Sequence, residues 1–226
     1  MSDYILVPGA GGDAWYWSRV APLLREAGHD VVAVGLPAAD ESAGLEAYAD
    51  TILAAIGPRR DVVLVAQSMG AFSAPMAAVR GSVASLLLVV PMIPVSGETV
   101  DDWWSATGSG TARQAAERAA GRDPDAPFDP VGAFFHDVPD DVQEEAWSRG
   151  EPQQAGRPCA DPWPLDAWPD IPTRVVVGRH DRLFPYDFAR QVARERLGVE
   201  PDVIDSGHLP ALAKPQELAA WLRAAA

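Results

Sequence analysis

Short apolar runs rich in β-branched residues alternate along this chain with stretches whose apolar residues fall at helical spacing. The runs are Tyr4–Val7, Val31–Val34, Asp61–Ala66, Leu86–Val90, Arg174–Val177 and Pro201–Ile204. This alternation is the mark of βα units wound about a parallel sheet. The central runs are apolar without in-and-out alternation, as expected of strands covered on both faces by helices. Helices are expected at Trp15–Ala27, Leu45–Ile56, Ala71–Arg80, Pro185–Leu197 and Pro215–Arg223. In the last, Pro215 falls in the first turn, where a missing N–H costs nothing.

The alternation breaks between Ser96 and Ile171. That stretch holds Trp103, Trp104, Phe134, Phe135, Trp147, Trp163 and Trp168 among many prolines and acidic residues, with helical pieces at Thr111–Ala120 and Asp140–Arg149 and no convincing strand. It reads as an insertion lying over the strand ends, because it could hardly bury a core of its own. The expected organisation is therefore a single domain. Residues 1–95 and 171–226 form the core and residues 96–170 a cap, and 226 residues suffice for that.

Charge narrows the partners. Lys and Arg number 18 against 32 Asp and Glu, a net −14, which repels phosphate backbones and anionic membrane surfaces. A small-molecule substrate is the expected partner, with neither nucleic acid nor membrane, and a homodimer is left open. The one cysteine, Cys159, excludes an intramolecular disulfide and has no neighbouring Cys for metal binding. No cofactor and no metal are expected. The Met1–Tyr4 start shows no basic segment or cleavage site, and no run approaches the ~20 apolar residues of a membrane span, so the chain reads as cytoplasmic.

In an open α/β sheet ligands bind beyond the carboxyl ends of the strands. Beyond the first run stands Pro8-Gly9-Ala10-Gly11-Gly12-Asp13, and beyond the third Gln67-Ser68-Met69-Gly70. The fifth is followed by Gly178-Arg179-His180-Asp181 and the sixth by Asp205-Ser206-Gly207-His208. The third run passes through a small-x-Ser-x-Gly turn into a helix-forming segment. This is the layout of a nucleophile elbow, with Ala66 standing where glycine is usual. Serine, aspartate and histidine in that order at one sheet edge make a triad of Ser68, Asp181 and His208. A serine hydroxyl needs an adjacent base, which His208 supplies, and Asp181 would fix the imidazole tautomer. The backbone N–H groups of Met69 and Ala10 are the expected oxyanion donors. A dinucleotide fingerprint is rejected, since Ala14 breaks G-x-G-x-x-G and no acidic residue ends the second run. Taken singly, Ser68 could cap a helix, Asp181 form a turn and His208 pack in a loop. His29 reads as structural, and His180 precedes Asp181 and makes a poor base.

Gly9-Ala10-Gly11-Gly12-Asp13-Ala14-Trp15-Tyr16-Trp17, Phe184-Pro185-Tyr186-Asp187-Phe188 and Gly207-His208-Leu209-Pro210-Ala211-Leu212 resemble the α/β-hydrolase superfamily, and within it the plant methylesterase and hydroxynitrile lyase group. The resemblance covers most of the chain apart from the insertion. It implies the α/β-hydrolase fold, with a mainly parallel six-stranded sheet, helices on both faces and a helical cap. It also implies a serine hydrolase with His208 as catalytic histidine. Pro8 and Gln67 replace histidines usual in that group, which changes the pocket floor. Leu209 replaces the lysine that binds cyanide in the lyases, favouring an esterase. The expected reaction is cleavage of a carboxylic ester, or of a thioester or lactone, of a small to medium apolar acid through an acyl-Ser68 intermediate. The alternatives are a lyase or cyclase using the same triad without acylation, and a binding protein that has lost turnover. Substrate contacts are expected from Gly9, Gln67 and Leu209 and from the cap residues Trp103, Trp104, Phe134, Phe135 and His136, the aromatics facing inward over the site.

Overall fold

The computed structural model describes residues 1–226. Strands form at Asp3–Val7 (β1), Asp30–Ala33 (β2), Val62–Gln67 (β3), Val83–Val89 (β4), Thr173–Gly178 (β5) and Asp202–Ile204 (β6). They pair in parallel throughout, in the order β2-β1-β3-β4-β5-β6. Helices lie at Ala21–Glu26 (α1), Leu45–Ile56 (α2), Gly70–Ala78 (α3), Val100–Ala106 (α4), Ser109–Ala119 (α5), Pro130–Phe134 (α6), Asp140–Ser148 (α7), Arg157–Ala160 (α8), Tyr186–Leu197 (α9), Pro210–Ala213 (α10) and Pro215–Ala225 (α11).

The strands alternate faces, and both faces are apolar. Ile5, Val7, Leu64, Ala66, Leu86 and Leu88 pack with α2, α3 and α9, whereas Tyr4, Leu6, Val63, Val65, Leu87 and Val89 pack with α1, α10 and α11. Each fully buried Leu, Ile or Val contributes roughly 1.5–3 kcal/mol, so the doubly covered centre dominates stability. That burial is why the sequence shows runs rather than alternation.

The expected helix Trp15–Ala27 is a correction. A short 3-10 turn, Ala14–Trp17, is capped by Asp13, whose carboxylate accepts the Trp15 N–H at 2.9 Å; α1 begins only at Ala21. Pro22, in the first turn of α1, has no N–H to donate and its ring would crowd the carbonyl of Ser18 in a continuous helix, which favours the break seen here.

Between β4 and β5 the chain forms α4 to α8 and no strand. These helices share the core of the sheet. The Trp103 indole N–H donates to Ile93 O (3.0 Å) and that of Trp163 to Phe72 O (2.9 Å). Asp161 accepts the Leu45 N–H at the start of α2 (2.9 Å), and Glu98 pairs with Arg196 of α9. No helix is long and apolar enough to cross a membrane.

The strand order reverses beside β1, with β2 on one side and β3 on the other. The crevice beyond the carboxyl ends of β1 and β3 is where this topology places a ligand.

Candidate active site

Ser68 follows β3 with φ +49°, a left-handed conformation that non-glycine residues rarely adopt. It is held there from both sides. Its N–H donates to Val89 O at 3.0 Å, and its carbonyl accepts the N–H groups of Ala71 (3.1 Å) and Met92 (3.0 Å). Gly70 lets the elbow close on the loop after β1, because a Cβ there would stand 2.6 Å from Pro8 O. Ala66 is fully buried within the core, so the extra methyl group is absorbed below the turn.

The loops after β5 and β6 bring Asp181 and His208 to this serine. Asp181 Oδ1 accepts the N–H groups of Leu183 (2.8 Å) and Phe184 (2.9 Å), leaving Oδ2 to face His208 Nδ1 at 2.8 Å. A carboxylate only accepts, so the proton sits on Nδ1, and Nε2 is left to accept from the Ser68 hydroxyl at 3.2 Å. Both the aspartate and the histidine side chains are 1% exposed, which keeps water from competing for these bonds. The His208 ring meets Phe134 edge-on at 5.3 Å and Phe184 at 4.9 Å. Asp205, the neighbouring acid, is exposed and pairs with His180 and Arg179 instead. His29 accepts the Ser2 N–H and packs edge-on against Tyr4, a structural place.

The glycine-rich loop closes as a turn in which Gly12 N–H donates to Gly9 O at 3.1 Å. Neither the Ala10 N–H nor the Met69 N–H donates to any group in the protein. Gly9 lies against Ser68 and against the buried Gln67 side chain, whose Nε2 stands 3.5 Å from His208 O. A Cβ on residue 9 would overlap Gln67 Oε1 and come within 3.0 Å of Ser68 Cβ.

A cleft of about 580 Å³ lies along this loop, lined by Gly9, Ala10, Gln67, Phe135 and Leu209 together with Trp15 and Pro152. Phe134 is not among the residues lining this cleft but packs edge-on against the His208 ring. The remaining cap residues stand elsewhere. Trp103 is fully buried against Phe184 and Phe188, an internal brace rather than a wall of the cleft. Its indole N–H is satisfied by the Ile93 carbonyl, which fixes that place. Trp104 is 38% exposed and, with Arg113, Phe128 and Leu183, lines a separate groove. The expectation that the cap aromatics face inward over the site is therefore corrected for Trp103, which is core, and for Trp104, which faces another groove. His136 lies in a third groove, which also reaches Asp181, and burial followed by the nearby Arg182 charge holds its pKa below the ordinary value. Burial pushes the Cys159 thiol up, which disfavours the reactive thiolate. No group of three or more His, Cys, Asp or Glu side chains is placed to share a metal ion.

The cap contributes polar residues that the sequence did not single out. Asp137 accepts the Gly207 N–H (2.6 Å) and the Ser206 hydroxyl (3.0 Å), holding the loop that carries His208. Glu145 accepts from the Trp15 indole N–H (2.6 Å), Arg149 donates to Asp13 (2.8 Å), and Gln154 accepts the Gly11 N–H (3.0 Å). They occupy acidic, proline-flanked stretches without a motif, and only their tertiary contacts distinguish them.

Residues 4–221 match the profile described as the alpha/beta hydrolase family. Norfluorocurarine synthase 1 of a Strychnos species is 40% identical over 84 residues, 33% of this chain and 32% of that protein. The probable esterase PIR7A of Oryza sativa subsp. indica is 35% identical over 107 residues, 42% of this chain and 41% of that one. Methylesterase 7 of Arabidopsis thaliana is 36% identical over 104 residues, 40% of each chain. The matched stretches thus span about a third to two fifths of these relatives. Among solved structures, polyneuridine aldehyde esterase superposes with a TM-score of 0.79 at 20% identity, covering 99% of this chain and 98% of that one. An extracellular alpha/beta-hydrolase from a Paenibacillus species gives 0.78 at 17% identity, covering 100% and 99%.

Proposed function

Since the chain belongs to the alpha/beta hydrolase family, we propose that it is a serine hydrolase cleaving a carboxylic ester of a small to medium apolar acid through an acyl-Ser68 intermediate. The observation that carries this reading is the continuous line from Asp181 Oδ2 through His208 to Ser68 Oγ, with distances of 2.8 and 3.2 Å. The naming of PIR7A and methylesterase 7 as esterases supports it.

In this mechanism His208 Nε2 takes the hydroxyl proton as Ser68 Oγ attacks the ester carbonyl, and the carbonyl oxygen becomes an oxyanion. The free N–H groups of Ala10 and Met69 receive that oxyanion. One such donor is typically worth ~10²–10³ in rate. Collapse of the tetrahedral intermediate breaks the bond to the alcohol oxygen, which leaves with the proton from His208. Water, deprotonated by the same imidazole, then releases the acid and restores Ser68. Asp181, oriented by two backbone N–H groups, steadies the imidazolium at each stage. Phe134, Phe135 and Leu209 offer apolar contact to the substrate, with Gln67 as the polar floor.

The test is covalent labelling by a fluorophosphonate together with turnover of p-nitrophenyl esters of graded chain length. The expected outcome is stoichiometric modification at Ser68, with S68A inert to the reagent and its kcat/KM lowered by several orders of magnitude. A chain whose Ser68 resists the reagent and that turns over no ester is a binding protein instead. Turnover without an acyl-Ser68 species points to the lyase or cyclase reading.

A further inference from the structure

We infer that Gln154, between α7 and α8 of the cap, is a positioning residue that sets the oxyanion donor of Ala10; the inference rests on the serine hydrolase reading above. Gln154 lies beyond α7, in the extended segment that runs back across the glycine-rich loop. Its Oε1 accepts the Gly11 N–H at 3.0 Å, while its Nε2 donates to the Tyr48 hydroxyl (3.1 Å) and to Ala155 O (3.0 Å). Tyr48 is a buried residue of α2, and the Ala155 N–H donates to Ala38 O at 2.7 Å. The carboxamide head is therefore fixed by the core on one side and holds the loop on the other.

The loop needs such a hold. Gly9 to Gly12 form a four-residue turn closed by the Gly12 N–H on Gly9 O, and Gly11 has φ +85°, the value of the third residue of a type II turn. A glycine at that position rotates with little steric resistance, so the Ala10–Gly11 peptide plane is not fixed by sterics alone. The hydrogen bond that reaches this plane from outside the loop is the one from Gln154. Pro152 adds a steric stop, since a Cβ on residue 11 would stand 2.9 Å from Pro152 Cβ. Holding this plane keeps the turn closed, and the closed turn orients the Gly9–Ala10 peptide. That peptide carries the unpartnered Ala10 N–H. Gln154 touches no reacting atom in this arrangement; it acts through the loop.

The test uses the full chain with Gln154→Leu, similar in bulk but without polar atoms, and Gln154→Glu, which keeps an acceptor for Gly11 while the Tyr48 hydroxyl turns to donate. Three quantities are read on p-nitrophenyl acetate and a fluorophosphonate: kcat, KM and the second-order labelling rate of Ser68. Misplacing a catalytic group by an ångström costs up to about 10² in rate, so Q154L is expected to lose about 10- to 100-fold in kcat and in labelling rate, with KM within about threefold. Q154E is expected to recover to within about threefold of wild type. Q154A takes the place of Q154L if circular dichroism shows that the leucine variant does not fold. Wild-type labelling with an unchanged rate in Q154L overturns this inference and leaves the hydrolase reading standing. A raised KM at unchanged kcat also overturns it, because the residue then seats substrate, as does a Q154E variant as slow as Q154L. A wild-type chain that is neither labelled nor active overturns the hydrolase reading itself.

Discussion

Gly70→Ala sets two effects against each other at one atom. Gly70 is the first residue of α3, and replacing glycine by alanine inside a helix normally gains up to about 1 kcal/mol. Here the added Cβ would lie 2.6 Å from Pro8 O, where ordinary contact begins near 3.4 Å, and its next neighbour is Val7 Cγ1 at 3.3 Å. The obstruction is backbone at the end of a buried central strand, so no flexible side chain can swing aside. Overpacking of this kind costs typically 1–3 kcal/mol, which outweighs a propensity gain already diminished at a helix terminus. The net expectation is a loss of about 1–2 kcal/mol, or roughly 2–8 °C in Tm for a chain of this length. Relief comes mainly by pushing Pro8 outward, which carries Gly9 and Ala10 away from Ser68. A displacement approaching an ångström lowers kcat by about 10- to 100-fold. Gly110→Ala in α5 is the control, since nothing lies within 4 Å of its Cβ position and only the propensity gain applies. Thermal unfolding and p-nitrophenyl acetate kinetics on both variants decide the matter. A G70A protein that is as stable as G110A and turns over at the wild-type rate refutes the argument that the elbow and the oxyanion loop are locked together through this contact.

Asp181→Asn is expected to cut kcat by about 10⁴ with little change in KM, by permitting the wrong His208 tautomer, whereas Asp205→Asn stays near wild type; steady-state kinetics with the reverse pattern would reassign the acid. Trp103→Ala should lose about 3–5 kcal/mol of stability in urea unfolding, as expected of a fully buried tryptophan. Phe134→Ala and Phe135→Ala should instead raise KM for long-chain esters more than for acetate, and equal effects on both substrates would remove these two rings from the binding surface. His136 has its pKa held below the ordinary 6.5 by burial, so the unfolded chain binds the extra proton first. Its stabilising share is complete above pH 6.5 and is lost as pH falls from there toward the folded-state value. The Tm of wild type should accordingly fall more steeply than that of His136→Gln between pH 7 and 5, and parallel profiles would contradict the shift.

The sheet and the three polar residues at its edge were legible because each depends on local pattern. An apolar run followed by small-x-Ser-x-Gly specifies a strand and a tight turn, and parallel pairing puts the residues just past β5 and β6 at the same sheet edge as that turn. The direction of the cap side chains was not legible. Trp103 and Trp104 are adjacent in sequence with the same side-chain chemistry and both touch Phe184, yet one is fully buried and the other faces a groove. Tertiary contacts decide which is which: the Trp103 indole N–H donates to Ile93 O at 3.0 Å and its ring packs on Phe188. The break at Pro22 was available in the sequence, because a proline inside an expected helix favours a break there, although α3 runs through Pro75. Gln154 and Asp137 left no trace, since a single polar residue in a loop acquires its role from a partner more than a hundred or some seventy positions away.

The left-handed φ of Ser68 has a bearing on any effort to harden this protein by laboratory selection. A side chain in that conformation costs on the order of 1–3 kcal/mol, and glycine would adopt it freely. Substitution to glycine at position 68 would relieve that strain, and it deletes the hydroxyl. A library sorted only for heat resistance is blind to that loss, so thermostability must be scored with turnover in the same round.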